Sequence, residues 1–164
     1  MAEGPWDVVV VGAGAAGLLA ACRAAECGAR VLLLEKNRRP GVKILMSGGT
    51  RCNLTHATDN RGIVEAYGPP GRFLHSALAA LSVEATIDFF EAEGVATKVE
   101  ETGKVFPVSN RAVDVLGALL RRLQAQGYFK GPSNVTYLEK DKDLDPLRQR
   151  PDFQRLLKEL RPQP

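Results

Sequence analysis

Three glycines, one acid and a short basic loop carry the spacing in this chain that suggests chemistry. Gly12-Ala13-Gly14-Ala15-Ala16-Gly17 is a Gly-x-Gly-x-x-Gly turn. The β-branched run Val8–Val11 leads into it, and a helix-forming stretch follows from about Leu18 to Cys27. A buried strand, a tight turn and a helix opening come in the order that a dinucleotide pyrophosphate needs. Gly12 allows the sharp turn, Gly14 has no Cβ to keep a phosphate away, and Gly17 lets the helix lie tightly on the strand. The N–H groups at the helix start, those of Ala15 and Ala16 among them, then face the anion with the positive end of the dipole. Glu35 follows Gly17 by 18 residues and ends a second apolar run. A carboxylate there accepts hydrogen bonds from a ribose diol, and an acid rather than Arg favours a free 2′-OH. The glycine pattern alone also occurs in ordinary glycine-rich turns; the strand, helix, second strand and Glu35 together point to a nucleotide.

A second informative stretch runs from Lys36 to Thr55. Within it, Ser47-Gly48-Gly49-Thr50 has the composition of a backbone nest for an anion. Lys43 and Arg51 are candidates to neutralise a pyrophosphate, and Asn53 to hydrogen-bond a ring or a ribitol. The competing reading is a surface loop with scattered bases, and composition does not choose between them.

The elements that must position these residues follow from patterning. Trp6–Val11 reads as a strand with polar Asp7 at the sheet edge. Gly28 reads as a helix C-cap, and Arg30–Leu34 as a second strand, apolar because both faces are covered. Residues His56–Arg72 read as a breaker-rich loop. Phe73–Leu81 reads as a helix. Ser82 caps another over Val83–Glu93, with Ile87, Phe90 and a side of Phe89 inward, and Gly94 ends it. Ala96–Glu100 and Lys104–Pro107 flank Glu101-Thr102-Gly103 as a hairpin. Ser109 caps a helix from Asn110 to about Gln126 with an apolar stripe of Val113, Leu116, Leu120 and Leu123; Gly127 ends it. A third core strand is not evident. Asn134–Leu138 is a weak candidate, and Asp145-Pro146 and Pro151-Asp152 each open a short helix.

Composition excludes several classes. The 164 residues fit one domain, or one domain with a tail, and 45% apolar with 25% charged residues is ordinary for a globular protein. Charges are mixed: residues 1–127 hold 14 Lys/Arg against 13 Asp/Glu, and residues 128–164 hold 8 against 6. Neither part is a basic arm, so nucleic-acid binding has no compositional support. Cys22, Cys27 and Cys52 are odd in number and lack metal-type spacing, which argues against a disulfide framework or a zinc site and for a reducing cytoplasm. No signal peptide or membrane-spanning run is visible.

The chain resembles the amino-terminal part of the aminoacetone oxidase-like, or YhiN-like, NAD(P)/FAD-dependent oxidoreductases. The residues that carry the resemblance are Gly12–Leu18, Leu34-Glu35-Lys36, Lys43, Ser47-Gly48-Gly49-Thr50-Arg51-Cys52-Asn53, Phe73–Leu78 and Gly103–Ser109. The Ser-Gly-Gly-x-Arg-Cys-Asn element is specific to that family; Thr50 stands where many relatives have a third glycine. The resemblance covers roughly residues 5 to 127. It implies an incomplete Rossmann-like α/β FAD-binding fold. In it Gly12, Gly14 and Gly17 hold the pyrophosphate and Glu35 the adenosine ribose. Lys36, Lys43, Ser47, Gly48, Gly49, Arg51, Cys52 and Asn53 line the rest. Cys52 is expected to pack beside the flavin rather than act as a redox thiol, because no Cys-x-x-Cys partner exists. His75 is expected to be solvated or packed rather than in the pocket. The flavin would do the hydride chemistry, with NAD(P)H a possible electron donor and a small molecule as substrate. No residue stands out as catalytic.

Family members are about twice as long or more. The expectation is therefore a truncated flavoprotein segment, residues 1–127, joined to a linker and helical tail, residues 128–164, of different origin. Asp143–Leu157 resembles the closing segment after tetratricopeptide repeats, which caps a helical array. On this reading the chain alone binds FAD weakly. The alternatives are a non-catalytic interaction module whose tail docks to a helical-repeat protein, and a non-functional gene fragment.

Overall fold

The structure is a computed structural model, described here for residues 6–37 and 39–126 and for the isolated positions Gln149, Pro151 and Gln154. Two compact units divide the chain: one holds residues 1–40 and 123–164, the other Gly41–Arg122. The candidate strand at Asn134–Leu138, the helix opened by Asp145-Pro146, the Gly127 cap and the proposed tail docking lie outside the described residues, as does the helix opened by Pro151-Asp152 apart from Pro151 and Gln154, which are both helical.

In the first unit, β1 (Val8–Val11) and β2 (Val31–Leu34) pair in parallel, Val8 opposite Val31 through Val11 opposite Leu34. Helix α1 (Ala15–Glu26) connects them, packs on both and buries Leu18, Ala21 and Cys22. This is the βαβ unit that the glycine turn requires. Gly28, at φ 83°, follows the helix end. Asp7 sits where the strands begin: its carboxylate accepts from the Arg30 N–H at 2.8 Å and from the Arg30 guanidinium at 3.1 and 3.2 Å. Those bonds hold the Asp7 carboxyl below its ordinary range. The expectation of a buried first strand is corrected. Val8 and Val10 are half-buried, whereas Val9 is 52% and Val11 81% exposed, so one face of β1 is open.

The second unit is built on an antiparallel sheet of order β3-β5-β4: β3 (Thr55–His56), β5 (Lys104–Pro107) and β4 (Thr97–Val99). The predicted hairpin is present as β4 and β5, with Lys98 opposite Phe106. Two helices were not expected: α2 (Val42–Met46) and α3 (Asn60–Ala66). The second corrects the breaker-rich loop. Asp59 is an N-cap, its carboxylate accepting from Gly62 N–H at 2.7 Å, and Pro69-Pro70 open a 3-10 turn, Pro69–Leu74. Helices α4 (His75–Ala80) and α5 (Val83–Ala92) follow, and Ser82 caps α5 through a 3.0 Å bond from Ala85 N–H. Ile87, Phe89 and Phe90 are half-buried, and only Val83 of α5 is fully buried.

The last described helix, α6 (Ala112–Ala125), starts two residues later than expected, because Asn110 adopts a left-handed φ of 53°. Its buried stripe is Ala112, Val115, Leu116, Ala118, Leu119 and Leu123, while Val113 is 48% exposed. The expected stripe had the right period but counted Val113, which lies off the buried face. Among the described residues, no single helix is long and apolar enough to cross a membrane.

Candidate cofactor site

The expected site residues fall into two groups, one in each unit. In the first unit, the chain leaves β1 through Gly12 at φ 94°, a value that favours glycine. Gly12 N–H donates to the Leu34 carbonyl at 2.6 Å, so the turn is tied to the end of β2. A Cβ on Gly17 would collide with the Gly12 carbonyl oxygen, which is the close helix-to-turn approach expected of that glycine. A Cβ on Gly14 would meet nothing within 4 Å. Gly14 is the N-cap of α1, no side chain caps that end, and its first turn holds no acid. Ala15 and Ala16 are exposed. An exposed, uncapped helix start with no carboxylate in its first turn suits a bound anion.

Glu35 lies beside this turn. Its Oε2 accepts from the buried Ala13 N–H at 2.8 Å, and its Oε1 accepts from the Asn37 backbone N–H at 2.8 Å and from Asn37 Nδ2 at 2.7 Å. Burial pushes this carboxyl up, but the hydrogen bonds from Asn37, Ala13 and Lys36 outweigh it and hold the pKa below the ordinary value. Glu35 is therefore ionised at neutral pH. Sequence reasoning named Glu35 but missed Ala13 and Asn37 as its donors. Lys36 is exposed.

The second group is the loop after α2. Lys43 is exposed on that helix. Ser47 ends the helix, and the chain then turns left-handed: Gly48 at φ 57°, Gly49 at 66°, Thr50 at 69° and Cys52 at 64°. Cys52 N–H donates to the Ser47 carbonyl at 3.0 Å, and the Thr50 carbonyl accepts from Ala112 N–H at 2.9 Å. Cys52 is buried, and burial pushes its thiol pKa up, the opposite of what a reactive thiolate needs. With its amide oriented so that the nitrogen faces the two carbonyls around it, the Asn53 side chain donates to the Thr55 carbonyl at 2.9 Å and the Val105 carbonyl at 3.1 Å, tying the loop to β3 and β5. Arg51 turns to a carboxylate of its own unit, Glu100, at 2.6 Å. Neither Glu100 nor Phe106, whose ring lies under Arg51, was singled out from sequence as a site residue. His75 is exposed at the start of α4.

A glycine turn joining two parallel strands through a helix, with an ionised acid at the end of the second strand, defines a Rossmann-type nucleotide-binding segment. The HI0933-like protein Rossmann domain matches residues 6–147, and the chain belongs to that family of FAD-dependent oxidoreductases. The match runs past Gly127, where the sequence reading placed a change of origin. The chain is 39% identical over 101 residues to a ribosomal RNA dihydrouridine synthase of Escherichia coli, covering 62% of this chain and 25% of that protein. It is 34% identical over 119 residues to a 3-dehydro-bile acid delta(4,6)-reductase of Clostridium scindens, covering 71% and 28%. It is 32% identical over 140 residues to a 12-dehydrotetracycline 5-monooxygenase/anhydrotetracycline 6-monooxygenase of Streptomyces rimosus, covering 84% and 26%. The chain spans about a quarter of the length of these curated relatives.

Proposed function

We propose that this chain is the FAD-binding segment of a flavin-dependent oxidoreductase. The observation that carries this reading is the lock between Glu35 and Ala13 beside an uncapped helix start. In this reading the pyrophosphate sits at the first turn of α1, over Gly12, Gly14, Ala15, Ala16 and Gly17. Glu35, held ionised beside that turn, faces the adenosine ribose. Lys36, Lys43, Ser47, Gly48, Gly49, Arg51, Cys52 and Asn53 belong to the remainder of the site, with Cys52 as packing. The flavin supplies the hydride chemistry, and NAD(P)H is the proposed electron donor. The named relatives act on ribosomal RNA, a bile acid and tetracyclines, so the matched segment tracks the cofactor rather than the substrate. A small-molecule substrate and a cytoplasmic location complete the proposal.

Titrating the full chain with FAD up to millimolar concentration, by flavin fluorescence and equilibrium dialysis, tests it. Saturable binding is expected, with Glu35→Gln weakening it about tenfold, the effect of one charged hydrogen bond. No saturable binding, or equal affinity in Glu35→Gln, would overturn the assignment.

A further inference from the structure

We infer that Glu100 is a positioning residue for the loop of residues 47–53, and that Arg51 is a strut of that loop rather than a cation for the cofactor's phosphates. The functional half of this inference rests on the FAD reading above; the structural half does not.

Thr50 and Cys52 hold backbone conformations that side chains rarely adopt: Thr50 ends a left-handed run that starts at Gly48, and Cys52 returns to that region after Arg51. Such conformations persist only where the surroundings over-determine them. Arg51 sits between the two strained residues and makes three contacts. Its Nη1 donates to Glu100 Oε1 at 2.6 Å, its Nε donates to the Gly48 carbonyl at 3.4 Å, and its guanidinium carbon lies 4.0 Å from the centre of the Phe106 ring. Phe106 is 2% exposed. The same ring lies 2.9 Å from where a Cβ on Gly48 would be, so one buried aromatic supports both the glycine that opens the turn and the arginine within it.

A planar guanidinium serves here as fork and stacking plate at once, which a lysine ammonium does not do. Glu100 lies just past the end of β4, 49 residues along the chain, and so fixes the loop to the sheet. The pairing also neutralises the charge. A diphosphate approaching Arg51 meets an ion pair, not a bare cation.

The test uses the full chain and the variants Glu100→Ala, Glu100→Asp, Arg51→Ala and the Arg51→Ala/Glu100→Ala double. The first readout is hydrogen exchange of the amides of residues 48–54 without cofactor. The expected result is a two- to fivefold acceleration in Glu100→Ala, the range of a partly exposed ion pair. Arg51→Ala should accelerate exchange at least as much, the double variant no more than Arg51→Ala alone, and Glu100→Asp should restore slow exchange. Amides of α1 should not change. The second readout is FAD affinity at several ionic strengths. Glu100→Ala and Arg51→Ala should weaken it by similar factors, with the salt dependence unchanged.

Unaltered loop exchange in Glu100→Ala would overturn the strut. So would an Arg51→Ala loss that depends on salt while Glu100→Ala binds FAD as tightly as wild type or tighter, because releasing a phosphate-binding cation helps binding. If wild type and variants alike fail to bind FAD, the cofactor reading falls and exchange alone decides the strut.

Discussion

Thr50 is a β-branched residue held at φ 69°, where glycine is at ease. Replacing it by glycine removes strain of about 1–3 kcal/mol and adds back about 0.5–1 kcal/mol of chain entropy. Thr50→Gly should therefore raise stability by roughly 1 kcal/mol, read as a higher urea midpoint with an unchanged slope. Glu35 makes a prediction of opposite character. Its pKa is lower in the folded chain than its ordinary value of 4.5. It therefore contributes stability that is present above that value and lost as pH falls through the folded pKa. Urea unfolding should show a loss of stability on acidification from neutrality to below pH 4.5, and Glu35→Gln should make that loss smaller. A wild-type and variant difference that stays constant with pH contradicts the linkage. Glu35 was legible because strand, spacing and charge all converge on it. Asn37 was not, because its bond to Glu35 depends on how the chain turns after β2. Glu100 and Phe106 reach the loop only through long-range pairing of the sheet.

Elements were legible where one local signal dominates. Ser82 preceded an apolar run with an acid in its first turn, and the structure shows the cap. Ser82→Ala should cost about 1 kcal/mol in thermal or urea unfolding. The loop reading of residues His56–Arg72 failed for a reason of the same kind. Asp59, Asn60, Pro69 and Pro70 were taken as breakers, but Asp59 caps α3, Pro69 and Pro70 open the 3-10 turn, and Asn60 links three helices. The Asn60 side chain donates to the Leu78 carbonyl at 2.9 Å and accepts from Val83 N–H at 3.2 Å, linking α3 to the end of α4 and the start of α5. Similarly, Arg122 bridges Glu93 at 2.6 Å and lies 5.0 Å from the centre of the Phe89 ring, tying α6 to the end of α5. Such side-chain links do not show in local propensity. The period of α6 was plain, but its phase was set by burial across the unit.

At the scale of the whole chain, the family match and the two units describe different things. The match is continuous from residue 6 to 147, while the compact units interleave, the first taking residues from both ends. The family match gives one Rossmann domain to this region as a whole, and the proposed FAD binding is a property of that region. A ligand that binds only the folded chain stabilises it by mass action, about 2.7 kcal/mol at a hundredfold excess over Kd. FAD should therefore raise the thermal midpoint in a concentration-dependent way, and the rise at a fixed concentration should be smaller in Glu35→Gln. A midpoint indifferent to FAD contradicts folded-state binding. The fold class was legible because the βαβ unit is written in contiguous sequence. The second unit was less so, because its sheet joins residues 55–56 to 104–105.

The left-handed loop has a practical consequence through its own thiol. Cys27 is exposed, whereas Cys52 is buried within the loop. An alkylating reagent should modify Cys27 promptly and Cys52 only when the loop opens. The ratio of the two modification rates, followed by intact mass and peptide mapping, then works as an internal clock for that opening. Conditions that close the loop should lengthen the interval between the two events without altering the first.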